Sequence, residues 1–159
     1  VVAHVAFLVE ADAAAHGVTV INEAPAGGGV LHGDDDELKQ AFLNIARNAM
    51  EAAFENQVDS HSGDMPTITF RTRALRQFTI GHRRHRLVCR VDIIDNGPGI
   101  PPELLQNIFY PMISGRASGT GLGLSITQSI IGQHRGLVEC ESEPGRTDFI
   151  IFLPLEDNQ

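Results

Sequence analysis

Six residues, Gly119 to Leu124, read GTGLGL and run straight into the apolar periodic segment Ser125 to His134; no other stretch restricts the chain as much. Glycines at alternate positions before a helix pattern suit a place where backbone must come close to something, because glycine has no Cβ to hold a ligand away. A helix start offers unpaired N–H groups and a partial positive charge, so the natural guest is an anion, phosphate above all. Thr120 can cap that start. A plain tight turn is the competing reading of the same residues. Two familiar phosphate loops are excluded. A Walker loop needs a lysine just after its last glycine, and Lys39, far upstream, is the only lysine in the chain. The dinucleotide fingerprint wants a strand directly before the glycines and a further glycine three residues on; here residues 114–118 read as a polar loop and Ile126 takes that place.

At 159 residues the chain has room for one domain with a real core. A formal charge of −8 argues against a general binder of nucleic acid or acidic membrane. The apolar runs are too short to span a bilayer, and Val1 to Glu10 lacks the basic leader and cleavage site of a signal peptide. Cys89 and Cys140 lie in strand-like stretches and read as free thiols, which points to a reducing cytoplasm. The charge is uneven: Arg71, Arg73, Arg76, Arg83, Arg84, Arg86 and Arg90, with His82 and His85, fall close together. They suit the solvated face of a hairpin, or a docking face for an acidic partner or nucleic acid.

Taken in order, Val1 to Ala15 suits a helix ending near Gly17, and Val18 to Ile21 a strand. Val30 to His32 can form a further short strand. Asp34, Asp35 and Asp36 supply cap and first-turn acids for a helix from Glu37 to about Asn56, with Leu38, Phe42, Ile45, Ala49 and Ala52 as its core stripe. Gln40, Asn44, Asn48 and Glu51 form a second, polar stripe. Asparagine is a poor interior helix residue, so two of them four apart need a reason: an exposed face, or oxygen ligands for a hard cation beside a phosphate. Thr67 to Arg73 and Arg86 to Ile94 read as strands with Gly81 near the turn between them. Leu87, Cys89, Val91 and Ile93 share one face, and Asp95 continues their parity, aiming a carboxylate toward the apolar side where the strand ends. Pro101 to Gln106 suits a short helix. Residues 113–118 suit a mobile lid hinged on the apolar knot Ile108 to Met112, or a passive loop. Gly136 to Glu141 and Thr147 to Pro154 close the fold as strands.

Together NIARN from Asn44, DNGPG from Asp95, FYPM from Phe109, GTGLGL from Gly119 and PGRTDF from Pro144 resemble, in order and spacing, the sequence boxes of the ATP-binding domain of sensor histidine kinases. The runs RNAMEA, IFYPMISGR and GTGLGLSI narrow the likeness to the nitrogen-regulation branch. The resemblance implies an α/β two-layer sandwich, a mixed sheet covered on one face by helices, of the type shared with gyrase, chaperone and mismatch-repair ATPases. It divides the chain into 1–16, the end of a linker or dimerisation helix, 17–156, the catalytic ATP-binding domain, and 157–159, a polar tail.

Carried over by motif, Asp95 takes the adenine amino group, Asn48 ligates Mg²⁺, and Asn44 supports the phosphate end. Gly97 and Gly99 let backbone approach the base. Gly119, Thr120, Gly121, Leu122 and Gly123 do so for the phosphates, Thr147 assists adenine recognition, and Arg116 contacts phosphate from the lid. The partners implied are the protein's own dimerisation and phosphoacceptor domain, a response-regulator receiver domain and a signalling protein of the PII type. The related ATPases carry a glutamate general base where Asn44 stands, and an amide cannot accept a proton. Phosphoryl transfer to a supplied nucleophile is therefore favoured over hydrolysis. None of the seven histidines has the flanking residues of a phosphoacceptor. An ATP hydrolase of the same fold, and a non-enzymatic nucleic-acid module using the arginine band, are the alternatives.

Overall fold

Alternation along one strand decides what each side of the sheet meets. In the computed structural model, which describes residues 17–23, 35–59, 65–109 and 123–155, the strand Arg83–Asp95 turns Val91, Ile93 and Asp95 to one side and Val88, Arg90 and Asp92 to the other. The elements are β1 (Thr19–Glu23), α1 (Asp35–Asp59), β2 (Thr67–Ile80), β3 (Arg83–Asp95), α2 (Pro102–Leu105), α3 (Gly123–Gln133), β4 (Leu137–Glu143) and β5 (Arg146–Pro154). The strands stand in the order β1-β2-β3-β5-β4, with β1 parallel to β2 and the other neighbours antiparallel. This is the expected mixed sheet under one layer of helices.

The stripe expected along α1 forms its buried side: Leu38, Phe42, Ile45, Ala49 and Ala52 are all within the core. Leu38, Phe42, Ile45 and Ala49 pack with Ile68, Phe70, Val91, Ile93, Phe149, Ile151 and Leu153 from the inner face of the sheet and with Ile130 and Ile131 from α3. Each large side chain among them contributes about 1.5–3 kcal/mol by leaving water. At its far end α3 stops in a Schellman motif. Gly136 N–H reaches Ile131 C=O at 2.9 Å and Arg135 N–H reaches Gly132 C=O at 3.0 Å. Arg135, not glycine, takes the left-handed position (φ 63). The glycine is used one residue later, where a Cβ would run into the Phe152 carbonyl.

The structure corrects several boundaries. α1 begins at Asp35, so Asp35 and Asp36 lie inside the helix, and it extends past Asn56 to Asp59. The central strands are longer than the sequence suggests: Ile80 pairs with Arg83 around a two-residue turn at Gly81 and His82. Gly81 supplies the positive φ (61) that a hairpin turn of this length requires. The segment between Arg73 and Arg86 is thus strand, running beyond the part of β2 that pairs with β1 and the part of β3 that pairs with β5. The ribbon returns to the sheet's outer side, where Leu75, Phe78 and Ile80 cover Val88, Ile150 and Phe152, with Phe78 stacked on Phe152 at 4.8 Å. Arg73, Arg76, Arg83, Arg84 and Arg86 are exposed on it. Arg90 instead holds Asp92 through two bonds of 2.8 and 3.0 Å, and Arg71 holds Glu23 at 2.8 Å. The expected helix before Gly17, the short strand at Val30 to His32, the lid and the tail lie outside the described residues.

Candidate nucleotide-binding site

Asp95 ends β3 on the inner face and is 2% exposed. Burying a carboxylate requires donors, and the turn that follows supplies one: Asp95 Oδ1 accepts the Gly97 N–H at 2.9 Å. Asn96, the next residue, ties the turn to β2. Its Oδ1 accepts Thr67 N–H at 2.9 Å and its Nδ2 donates to Met65 C=O at 2.7 Å. Gly97 packs on α1 so closely that a Cβ would lie 2.8 Å from the Ala52 backbone. Gly99 has φ +90 and packs on Glu143 C=O, where a Cβ would lie 2.6 Å away. Both glycines are required by close approach, and at Gly99 by conformation as well.

Across the sheet, Asp95 is paired with Thr147 of β5, which is 3% exposed. Thr147 Oγ1 lies 2.8 Å from Ser142 Oγ on β4, and Ser142 Oγ accepts the Ile100 N–H at 2.8 Å. A carboxylate and a linked pair of hydroxyls thus share one buried edge beside the 96–100 turn. Cys140 stands two residues before Ser142 on the same side of β4. Its thiol is pushed up to about 12 by burial, with the carboxylates of Asp95, Asp148 and Glu141 adding to the effect, so it stays protonated and inert.

The polar stripe of α1 leads from this turn toward the start of α3. Asn44 and Asn48 are half-buried, whereas Gln40 and Glu51 are exposed. Asn44 Nδ2 lies 3.5 Å from the Gly123 carbonyl in the first turn of α3, at the outer limit of a hydrogen bond. Thr127 Oγ1 donates to that carbonyl at 2.9 Å and is 3.4 Å from Ala41 C=O, fastening the two helices together. Asn48 lies one turn after Asn44 and one before Ala52, against which Gly97 packs.

The structure therefore brings Asp95, Gly97, Gly99 and Thr147 to one end and Asn44 and Gly123 to the other, with Asn48 on the helix between. Arg116, Gly119, Thr120, Gly121 and Leu122 lie outside the described residues. Phe109, first of its box, meets Phe149 edge-on at 6.4 Å. The His134 ring nitrogen Nδ1 is 2.8 Å from Ile130 C=O at the end of α3, a local helix-terminal contact. Sequence reasoning missed Ser142. Its signal is the one that exposed Asp95: a polar side chain on the apolar parity of a strand, after Val138 and Cys140.

Residues 33–157 match the family described as histidine kinase-, DNA gyrase B-, and HSP90-like ATPase. Over 122 residues the chain is 52% identical to the sensory histidine kinase/phosphatase NtrB of Vibrio alginolyticus, covering 77% of this chain and 33% of that protein. It is 48% identical to NtrB of Salmonella typhimurium over the same length, again 77% and 33%. The chain therefore matches about a third of the length of these curated relatives. Among solved structures, the catalytic domain of the histidine kinase ThkA superposes with a TM-score of 0.75 at 27% identity, covering 96% of this chain and 88% of that one. Motifs, sheet order and similarity agree, and the chain belongs to the family of histidine kinase-, DNA gyrase B- and HSP90-like ATPases, as an ATP-binding catalytic domain of the histidine kinase kind.

Proposed function

We propose that this domain donates the γ-phosphoryl group of ATP, with Mg²⁺, to a histidine on a separate dimerisation domain, in two-component signalling of the nitrogen-regulation kind. The observation that carries this reading is Asn44, an amide on α1 reaching toward the start of α3 where a hydrolase of this fold places a carboxylate base. Asp95 accepts the adenine amino group beside Thr147, and Gly97 and Gly99 keep the turn close. Asn44, Gly123 and, before it, Gly119 to Leu122 with Arg116 serve the phosphate end.

Asn48 fits a magnesium ligand because its amide oxygen is a hard, neutral donor on a half-buried helix face. Among the described residues no group of three or more His, Cys, Asp or Glu gathers into an all-carboxylate cage. With Asn48 as a protein ligand, phosphate and water oxygens would supply the rest of the shell, as magnesium prefers. When bound, the ion neutralises phosphate charge; the chain's own part is to position the nucleotide. No helix of the described residues is long and apolar enough to cross a membrane. We place the domain in the cytoplasm, with its own phosphoacceptor domain, a receiver domain and a PII-type protein as partners.

The test is incubation with γ-labelled ATP, with and without a separately supplied acceptor domain. The chain alone should leave ATP largely intact and carry no label. With the acceptor present, base-stable, acid-labile label should appear on that domain. Asn48→Ala should abolish transfer, and His82→Ala and His134→Ala should not affect it. Label on this chain alone, or steady phosphate release from it, counts against the proposal.

A further inference from the structure

Ile100 N–H, Ser142 and Thr147 form a hydrogen-bonded chain whose direction is set at one end, because a backbone N–H can only donate. It donates to Ser142 Oγ at 2.8 Å. The Ser142 proton then has two acceptors: Thr147 Oγ1 at 2.8 Å and Arg146 C=O at 3.5 Å. The shorter contact is the ordinary length for a hydroxyl pair and the longer lies at the limit of a bond, so the proton goes to Thr147. A threonine oxygen that accepts from Ser142 keeps its own proton for something else, which makes Thr147 a donor at the buried edge it shares with Asp95. An adenine offers that edge two complementary groups: an amino group that donates and, next to it, the ring nitrogen N1 that accepts. Guanine reverses both.

We propose that Ser142 is a positioning residue for base selection: it orients the Thr147 hydroxyl as a donor toward adenine N1, through a bound water, and pins the 96–100 turn through Ile100. Ser142 does not touch the nucleotide. The inference rests on the reading of this edge as the adenine site. Its new content is the residue that gives Thr147 its polarity, while Asp95 supplies the opposite polarity beside it.

The experiment is calorimetric titration of this chain with ATP and with 1-deaza-ATP, in which N1 is replaced by C–H, for wild type, Ser142→Ala and Ser142→Thr. Wild type should bind 1-deaza-ATP about tenfold more weakly than ATP, the worth of one hydrogen bond in a desolvated site. Ser142→Ala should lose about tenfold for ATP and little for 1-deaza-ATP, and Ser142→Thr, which keeps the hydroxyl, should restore ATP binding. Equal losses for both nucleotides would mean that Ser142 only supports the turn, and would overturn the proposal. So would unchanged ATP affinity in Ser142→Ala. Should that variant fail to fold, wild type decides by itself: equal affinity for the two nucleotides removes a donor at Thr147. Failure of wild type to bind ATP at all takes down the adenine-site reading and this inference together. Normal ATP binding with an indifferent Ser142→Ala takes down only the inference.

Discussion

Asp92 and Asp95 stand three residues apart on β3, at 1% and 2% exposure, yet they face opposite sides of the sheet and are held by different chemistry. On the outer side Asp92 is gripped by the Arg90 guanidinium through two short bonds, and its diagonal neighbour on β5 is a second buried carboxyl, Asp148. Burial is the largest single influence and works to raise Asp92, but the bonds from Arg90 and Asp148, with the charges of Arg90 and Arg73, together outweigh it and hold the carboxyl below its ordinary range. On the inner side Asp95 is held by a backbone N–H of its own turn, next to a hydroxyl pair. The outer carboxylate is committed to an ion pair with Arg90, two residues away on the same strand. The inner one sits at the strand's end, beside glycines that keep neighbouring backbone close. Burial alone does not mark a site; what the buried charge is bonded to, and where the strand ends, does.

Asn substitution separates the two roles, and its largest effect falls on the inner side. Asp95→Asn should weaken ATP binding by about 2–4 kcal/mol, since a charged acceptor in a desolvated site becomes an amide. Titration calorimetry reads the loss and thermal melting reads the fold, which should change much less. GTP, with a carbonyl where adenine has its amino group, should bind wild type poorly. If Asp95→Asn keeps wild-type affinity for ATP, the contrast between the two aspartates fails at its functional end.

The outer side predicts a pH effect instead. Asp148 is pushed up to about 7 by burial and by the carboxyl of Asp92 bonded to it, while Arg146 at 3.8 Å and Arg90 pull the other way. Its folded value lies above the unfolded one, so the folded protein holds a proton that the unfolded chain has released. That stability is fully present below the ordinary carboxylate range and is lost as pH rises through about 7. Asp148→Asn removes the titration. Melting followed from pH 5 to 8 should show wild type losing stability that the variant keeps, with the variant ahead by about 1–2 kcal/mol at the alkaline end. ATP affinity should not change. Parallel curves for the two proteins would mean that Asp148 is ionised throughout, already neutralised by its arginines.

How much of this was legible in the chain follows from which periodicities survive without knowing the register. The α1 core stripe and the parity of Asp95 depend only on positions within one element, and both were readable. Asp92 and Asp148 become diagonal neighbours only once β3 and β5 are aligned, with Asp92 opposite Ile150 and Ile94 opposite Asp148, so neither stands out in the sequence. The hairpin looks shorter in the sequence than it is for a related reason. Residues 74–87 form a ribbon beyond most of the sheet, where arginines on its open faces break the apolar alternation that would have announced strands. Ser142 breaks the apolar parity of β4 after Val138 and Cys140, but a serine there is a weaker signal than a carboxylate and gains its meaning only with its partners on two other segments.

The smallest effect concerns how that ribbon reaches the outer side. Leu75 and Phe78 are an odd number of residues apart, so in a regular strand they would point to opposite faces; both nevertheless pack on the outer cluster. Between them Gln77 adopts φ 53, a left-handed conformation costly for a residue with a Cβ. That step turns Phe78 onto Phe152 and lets the ribbon cover the side of the sheet that the helices leave open. Relieving it separates the step from ordinary strand behaviour. A glycine placed in a regular exposed strand weakens it, whereas at a left-handed position the relief of strain exceeds the added freedom of the unfolded chain. Gln77→Gly should therefore stabilise the domain by about 0.5 kcal/mol, while Gln77→Val, β-branched and ill suited to positive φ, should destabilise it by about 1 kcal/mol or more. Thermal melting of the two variants beside wild type measures both. The reverse order, with valine the more stable, would show that the chain passes through Gln77 as a plain strand and that the outer face is covered in some other way.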